Sequence, residues 1–188
     1  MKKFLLAAVS LLSVSAFAFG EVRVDFRGGA GQALENVKVS SGIFWYNKKY
    51  ADTPDSKSMF YTTSQKLTDQ WQKLEISFTP ETSGKVSISF LSPGSSNKDK
   101  ILPVRVDNVT ADGIEIKNGS FETLNRKGLP SPWRMGKAKL VTDDGADGSN
   151  CIQVTYGEVA FYVAKVEAGK PVTLSFMAKL GKKDAENK

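Results

Sequence analysis

Apolar and polar residues alternate along most of this chain, and turn-forming residues break the alternation at short intervals. A period of two puts successive side chains on opposite faces of an extended segment, so the pattern predicts short strands with one buried face. Val22, Val24 and Phe26 share such a face, and Gly28, Gly29 and Gly31 end it. Leu74, Ile76 and Phe78 alternate, residues Pro80 to Gly84 turn the chain, and Val86, Ile88 and Phe90 return it as the second arm of a hairpin. Val104, Val106 and Val109 predict a further strand, followed by a short one at Ile114 and Ile116. The acidic, glycine-rich run from Asp143 to Asn150 has the composition of a turn, after which Cys151 to Val154 resume extended structure. Val159, Phe161 and Val163 alternate as an apolar face, Glu167 to Lys170 turn, and Val172, Leu174 and Phe176 alternate again. Helical spacing is weak, with one turn expected near Ser64 to Gln70.

Many short strands separated by turns every roughly 8–12 residues predict an all-β fold, an antiparallel β-sandwich of jelly-roll type. No Pro/Gly/Ser linker separates two halves. Lys117-Asn118 is the only candidate joint, and neither side of it holds enough strands to close a sandwich, so residues 21–188 read as a single domain.

The first 20 residues break the pattern. Lys2 and Lys3 precede an apolar run from Phe4 to Val14 and the small-residue motif Ala16-Phe17-Ala18, which together describe a cleaved signal peptide and a secreted or periplasmic location. The run is interrupted by serines and is shorter than the about 20 residues a membrane span requires. Losing Lys2 and Lys3 takes the formal charge from +6 to +4, and no arginine run marks a phosphate-binding stripe, so nucleic acid is not an expected partner. Cys151 has no second cysteine to pair with and reads as a small buried apolar group. The chain has no histidine, which removes Ser-His-Asp and Cys-His nucleophiles and most zinc sites. Glycoside hydrolysis would require two carboxylates in one cleft, and the acids fall mainly in turns, so the reading is non-catalytic.

Two sets of motifs carry a resemblance. Asn118-Gly119-Ser120-Phe121-Glu122 is followed by Pro132-Trp133 and by Gly169-Lys170-Pro171-Val172-Thr173-Leu174-Ser175-Phe176-Met177-Ala178-Lys179. Before it stand Trp71 to Pro80, Gly84 to Phe90, and Val104-Arg105-Val106-Asp107-Asn108-Val109. Together these segments resemble carbohydrate-binding modules of the galactose-binding-like jelly-roll superfamily, the kind appended to bacterial glycanases. In that family an N-G-x-F-E strand opens the domain and a D-[DN]-[VI] strand closes it. Here the order is swapped, so the resemblance implies one circularly permuted domain whose two ends are neighbours. It also implies that Trp71 and Trp133 are core residues. Glu122 and Asp107 should meet and hold a structural calcium ion with backbone carbonyls, although Asn108 stands where a second Asp is common.

Sugar rings offer patches of C–H to flat aromatic faces, with polar groups alongside to bond the hydroxyls. The candidate stacking residues are Trp45 and Tyr156, with Tyr46, Tyr50 and Tyr162 as alternates. If Phe44 and Tyr46 share one face, Trp45 belongs to the other, and only one of those faces is the core. Asn47, Lys48, Lys49, Asp52, Gln153, Thr155 and Glu158 are polar neighbours, though Asn47-Lys48-Lys49 reads equally as an ordinary loop. The expected partner is a polysaccharide or oligosaccharide. The rival expectation is a cell-envelope structural or adhesion module in which these rings only fill the core.

Overall fold

A computed structural model describes residues 20–28, 34–39, 43–46, 60–92 and 102–182. Residues 1–19, expected above to be a signal peptide, together with Tyr50 and its polar neighbours Asn47, Lys48, Lys49 and Asp52, lie outside the described residues. The strands are β1 (Gly20–Gly28), β2 (Leu34–Val39), β3 (Ile43–Tyr46), β4 (Phe60–Leu67), β5 (Gln72–Pro80), β6 (Gly84–Leu91), β7 (Val104–Asp112), β8 (Lys139–Val141), β9 (Cys151–Val154), β10 (Ala160–Val166) and β11 (Val172–Leu180).

Two antiparallel sheets form the sandwich, as the alternation predicts. Sheet A has the order β10-β6-β1-β4-β3 and sheet B the order β2-β5-β11-β7-β9-β8. Both sheets interleave strands from the two sides of Lys117. In sheet A, β10 pairs with β6, and in sheet B, β11 lies between β5 and β7. Neither side of Lys117 therefore closes a core alone, and the chain forms one domain. The two ends of the described chain meet at one place: Gly20 pairs with Leu67 in register, and the Leu180 N–H donates to the Thr68 carbonyl at 2.8 Å. The segment from Ser64, expected as a helical turn, instead completes β4 and bends into β5.

Val22, Val24 and Phe26 from β1, Leu74, Ile76 and Phe78 from β5, Val86, Ile88 and Phe90 from β6, and Leu174 and Phe176 from β11 fill the interior. Phe26 meets Phe78 edge-on at 5.0 Å between centroids, and Phe90 meets Phe176 at 5.1 Å, so the two sheets interlock through aromatic pairs. On β10 the alternation runs opposite to expectation. Ala160, Tyr162, Ala164 and Val166 face inward, and Val163 is exposed. The small alanines leave room for large rings: Trp133 packs on Tyr162 at 5.1 Å and on Phe121 at 5.0 Å.

These rings also anchor the connector between the two halves. The Trp133 Nε1–H donates to the Lys117 carbonyl at 3.1 Å, and the Lys117 N–H donates to the Tyr162 hydroxyl at 3.3 Å. Just beyond, Gly119 lies against β7, where the Val109 N–H donates to its carbonyl at 2.9 Å, and a Cβ at Gly119 would collide with the Val109 carbonyl oxygen. Trp133 is core as expected. Trp71 is only half-buried, with the Lys179 ammonium 4.7 Å from its ring centroid.

Candidate functional site

Antiparallel partners point to the same side of a sheet, so register sorts the candidate residues between the faces of sheet A. One row of partners runs Trp45, Thr62, Asp25, Ser89, Phe161 across all five strands. The next runs Tyr46, Tyr61, Phe26, Ile88, Tyr162. Phe26, Ile88 and Tyr162 belong to the core, so the second is a core row and the first is the row of the opposite face. Trp45 and Tyr46, adjacent in sequence, thus hold positions in rows of opposite faces. Tyr162, an expected alternate for stacking, is 7% exposed and packed against Trp133, and it is also among the residues lining a second cavity of about 520 Å³ with Glu115, Lys117 and Arg134.

The outer face of sheet A carries a cavity of about 400 Å³ lined by Arg27, Ser87, Ser89, Lys137, Val159 and Phe161, together with Gly136 and Gly157. Ser87 and Ser89 supply hydroxyls from β6, Arg27 reaches in from the end of β1, and Phe161 supplies an aromatic side from β10. Two turns wall the opening. The segment after Trp133 is held to β10 by reciprocal Arg134–Phe161 backbone hydrogen bonds, each 2.9 Å, and the Arg134 guanidinium lies 5.9 Å from the Phe161 ring centroid. Gly136, at φ +50°, comes so close to the Val159 carbonyl that a Cβ would sit 2.7 Å from its oxygen. Tyr156, 61% exposed, belongs to the same turn as the lining residues Gly157 and Val159, and so stands at the rim.

Beside this cavity the same face buries an ion pair. Arg23 donates through Nε and Nη2 to the two Asp25 oxygens at 2.8 and 3.0 Å, and Asp25 is 2% exposed. A forked guanidinium–carboxylate pair has fixed geometry and stiffens the centre of the sheet.

Sequence reasoning missed Phe161, Ser87, Ser89 and Arg27. Phe161 was expected on the buried side of its strand, and the serines read as ordinary polar positions of a hairpin. Only the pairing of β6 with both β1 and β10 brings them together.

The outer face of sheet B carries a row of bonded polar side chains. Partners Gln153, Arg105 and Lys179 form a row across β9, β7 and β11, and Asp144 bridges Arg105 and Lys179, the latter at 2.6 Å. Gln153, a candidate sugar contact, is buried and accepts from Arg105 Nε at 3.2 Å. Burial, then the Arg105 charge, lowers the pKa of Lys179.

Asp107 and Glu122 do converge, on the segment 143–150. Asn108, at φ +48°, is the extra residue of a bulge in β7, and it turns the strand beside Asp107. Asp107 Oδ1 accepts from the Asn108 N–H and Oδ2 from the Ala146 N–H, both at 2.7 Å. Glu122 Oε1 accepts from the Ser149 and Asn150 N–H groups at 3.0 and 2.8 Å, and Oε2 from Ser149 Oγ and Asn150 Nδ2 at 3.1 and 3.0 Å. Calcium needs six to eight oxygen ligands, but here hydrogen-bond donors occupy the carboxylate oxygens it would use. Among the described residues no three of His, Cys, Asp or Glu are placed to hold a metal. The donor set does not fit calcium: the two acids clamp a loop. Burial, working against the Ala146 and Asn108 amides, pushes the Asp107 carboxyl up to about 6. The same region buries Cys151, whose thiol burial pushes up to about 11, so the thiolate nucleophile is suppressed at neutral pH.

Compared with known proteins, the chain matches no family model, no curated protein and no solved structure. No helix among the described residues is long and apolar enough to cross a membrane.

Proposed function

We propose that this is a secreted or periplasmic, non-catalytic carbohydrate-binding protein, built as a circularly permuted relative of the galactose-binding-like jelly roll, and that it binds a glycan along the outer face of sheet A. The observation that carries the reading is the register row with Trp45 at one edge and Phe161 at the other, running beside a cavity lined by serine hydroxyls. Four strand spacings separate the ends of that row, about 19 Å, a length that suits a short oligosaccharide better than a single sugar. Tyr156 at the rim and Phe161 in the wall offer ring faces, and Ser87 and Ser89 offer hydroxyl partners.

Two further facts favour binding without turnover. No carboxylate is among the described residues that line the cavity, and Asp25, the nearest acid in the row, is tied to Arg23. The permuted order is favoured by the meeting of Gly20 and Leu180 at Leu67 and Thr68, since a permutation joins former ends and opens a former loop.

Isothermal titration against a panel of β-glucans, xylans, mannans and acidic polysaccharides tests the reading. Weak binding to at least one glycan is expected, lost in the Trp45→Ala and Phe161→Ala variants and retained when the core-row residue Tyr46 becomes Phe. Absence of heat with every glycan overturns it.

A further inference from the structure

Among the described residues that line the cavity on sheet A, every charged side chain is a cation. Of its lining side chains two are cations, Arg27 from β1 and Lys137 from the turn after Met135, and none of the described lining residues is an acid. They come from segments 110 residues apart in sequence and are brought to one opening by the fold. A third cation, Arg134, has its guanidinium 5.9 Å from the Phe161 ring centroid. The one carboxylate in the row, Asp25, is buried and already paired by Arg23 within its own strand. Positive charge in a concave, partly enclosed site concentrates field on whatever enters it. Guanidinium groups hold carboxylate and sulfate through paired N–H donors, and an ammonium adds a mobile point charge.

Resting on the reading that this face binds saccharide, we infer that the cavity selects an anionic sugar unit, its negative group held by Arg27 and Lys137 while Ser87 and Ser89 bond ring hydroxyls and Phe161 meets the ring's apolar face. The shared chemistry is a saccharide carrying a single ring-borne anion, either the carboxylate of a uronic acid or a sulfate ester.

The experiment is a titration series at fixed low salt with four forms of one oligosaccharide length: neutral hexose, uronate, methyl-esterified uronate and sulfated hexose. The uronate or the sulfated form is expected to bind about tenfold or more tighter than its neutral counterpart, and that preference should shrink as salt is raised. Whichever anionic form binds tighter identifies the source of the charge. Arg27→Gln and Lys137→Gln should each weaken the anionic form by about tenfold and the neutral form less, so that the anionic-over-neutral preference collapses. Lys137 is an exposed turn residue, so its variant keeps the test valid should Arg27→Gln fold poorly. Equal binding of charged and neutral forms, or loss of binding to both alike in the Lys137 variant, overturns the inference. If neutral sugars bind in a Trp45-dependent way without preference for charge, the inference fails and the carbohydrate reading survives; if no form binds, both fail.

Discussion

Phe161 and Tyr162 are neighbours in β10 that serve opposite sides of one sheet: Phe161 lines the outer cavity, and Tyr162 packs on Trp133 in the interior. The two residues therefore separate binding from stability. Phe161→Ala should abolish glycan binding while shifting the unfolding free energy by less than about 1 kcal/mol, as expected away from a core. Tyr162→Ala should cost about 3 kcal/mol by leaving a cavity against Trp133 and removing the acceptor of the Lys117 N–H. Urea unfolding followed by far-UV circular dichroism measures both. Equal destabilisation by the two variants would contradict the assignment of faces.

Gly20 and Leu180 converge on Leu67 and Thr68, so joining the ends and opening the chain elsewhere should be tolerated. A chain in which Lys182 is joined to Gly20 through a short Gly/Ser linker, with new ends between Glu115 and Ile116, should fold to the same β-rich circular dichroism spectrum with one cooperative transition. Two separate transitions would show that the halves around Lys117 are independent units.

Gly119 is fixed by space. Gly119→Ala drives a methyl group into the Val109 carbonyl and disrupts the Val109–Gly119 hydrogen bond that ties the N-G-S-F-E segment to β7. A loss of about 3 kcal/mol or more is expected, against about 1–2 kcal/mol for Gly128→Ala, whose added Cβ meets nothing within 4 Å and carries only the strain of φ +71°. Comparable costs at the two sites, by thermal unfolding, would contradict the close approach at Gly119.

Asp107 gives the protein a pH signature. Its pKa, raised from 3.8 to about 6, means that the folded state binds the proton more tightly than the unfolded chain. Between about pH 4 and 6 this group therefore adds stability as pH falls, and the contribution disappears as pH rises through 6. The wild type should gain more than Asp107→Asn on going from pH 7 to pH 5, because the amide does not titrate. Millimolar calcium or a chelator should leave the melting temperature unchanged, since Glu122 and Asp107 already accept from the loop. A rise in melting temperature with calcium, together with a reversed pH difference between wild type and variant, would show that a cation displaces those donors.

Much of the architecture was legible in the sequence because one face of most strands is buried. The runs in β1, β5, β6 and β11 declare themselves as alternating apolar positions, and the buried rows match them. Strand β10 misled because its inward residues include Ala160 and Ala164, which carry little hydrophobic signal, whereas outward Phe161 and Val163 carry more. Strand β4 misled because it buries Gln65, a polar residue, opposite Val22. The motif resemblance paired Asp107 with Glu122, and both carboxylates reach the 143–150 segment, but the hydrogen bonds they make there were not legible, since the donors come from a loop whose composition says only that it turns. The cavity was least legible: Arg27, Ser87, Lys137 and Phe161 acquire meaning only when the non-sequential order β10-β6-β1 sets them side by side.

The most direct test of a glycan face on sheet A is a two-dimensional ¹⁵N–¹H NMR titration with the tightest-binding oligosaccharide. The account predicts progressive shifts at the Trp45 indole and at the amides of Ser87, Ser89, Tyr156 and Phe161, with Gln153, Arg105 and Lys179 on sheet B unmoved. Shifts confined to sheet B, or none at saturating sugar, would contradict it.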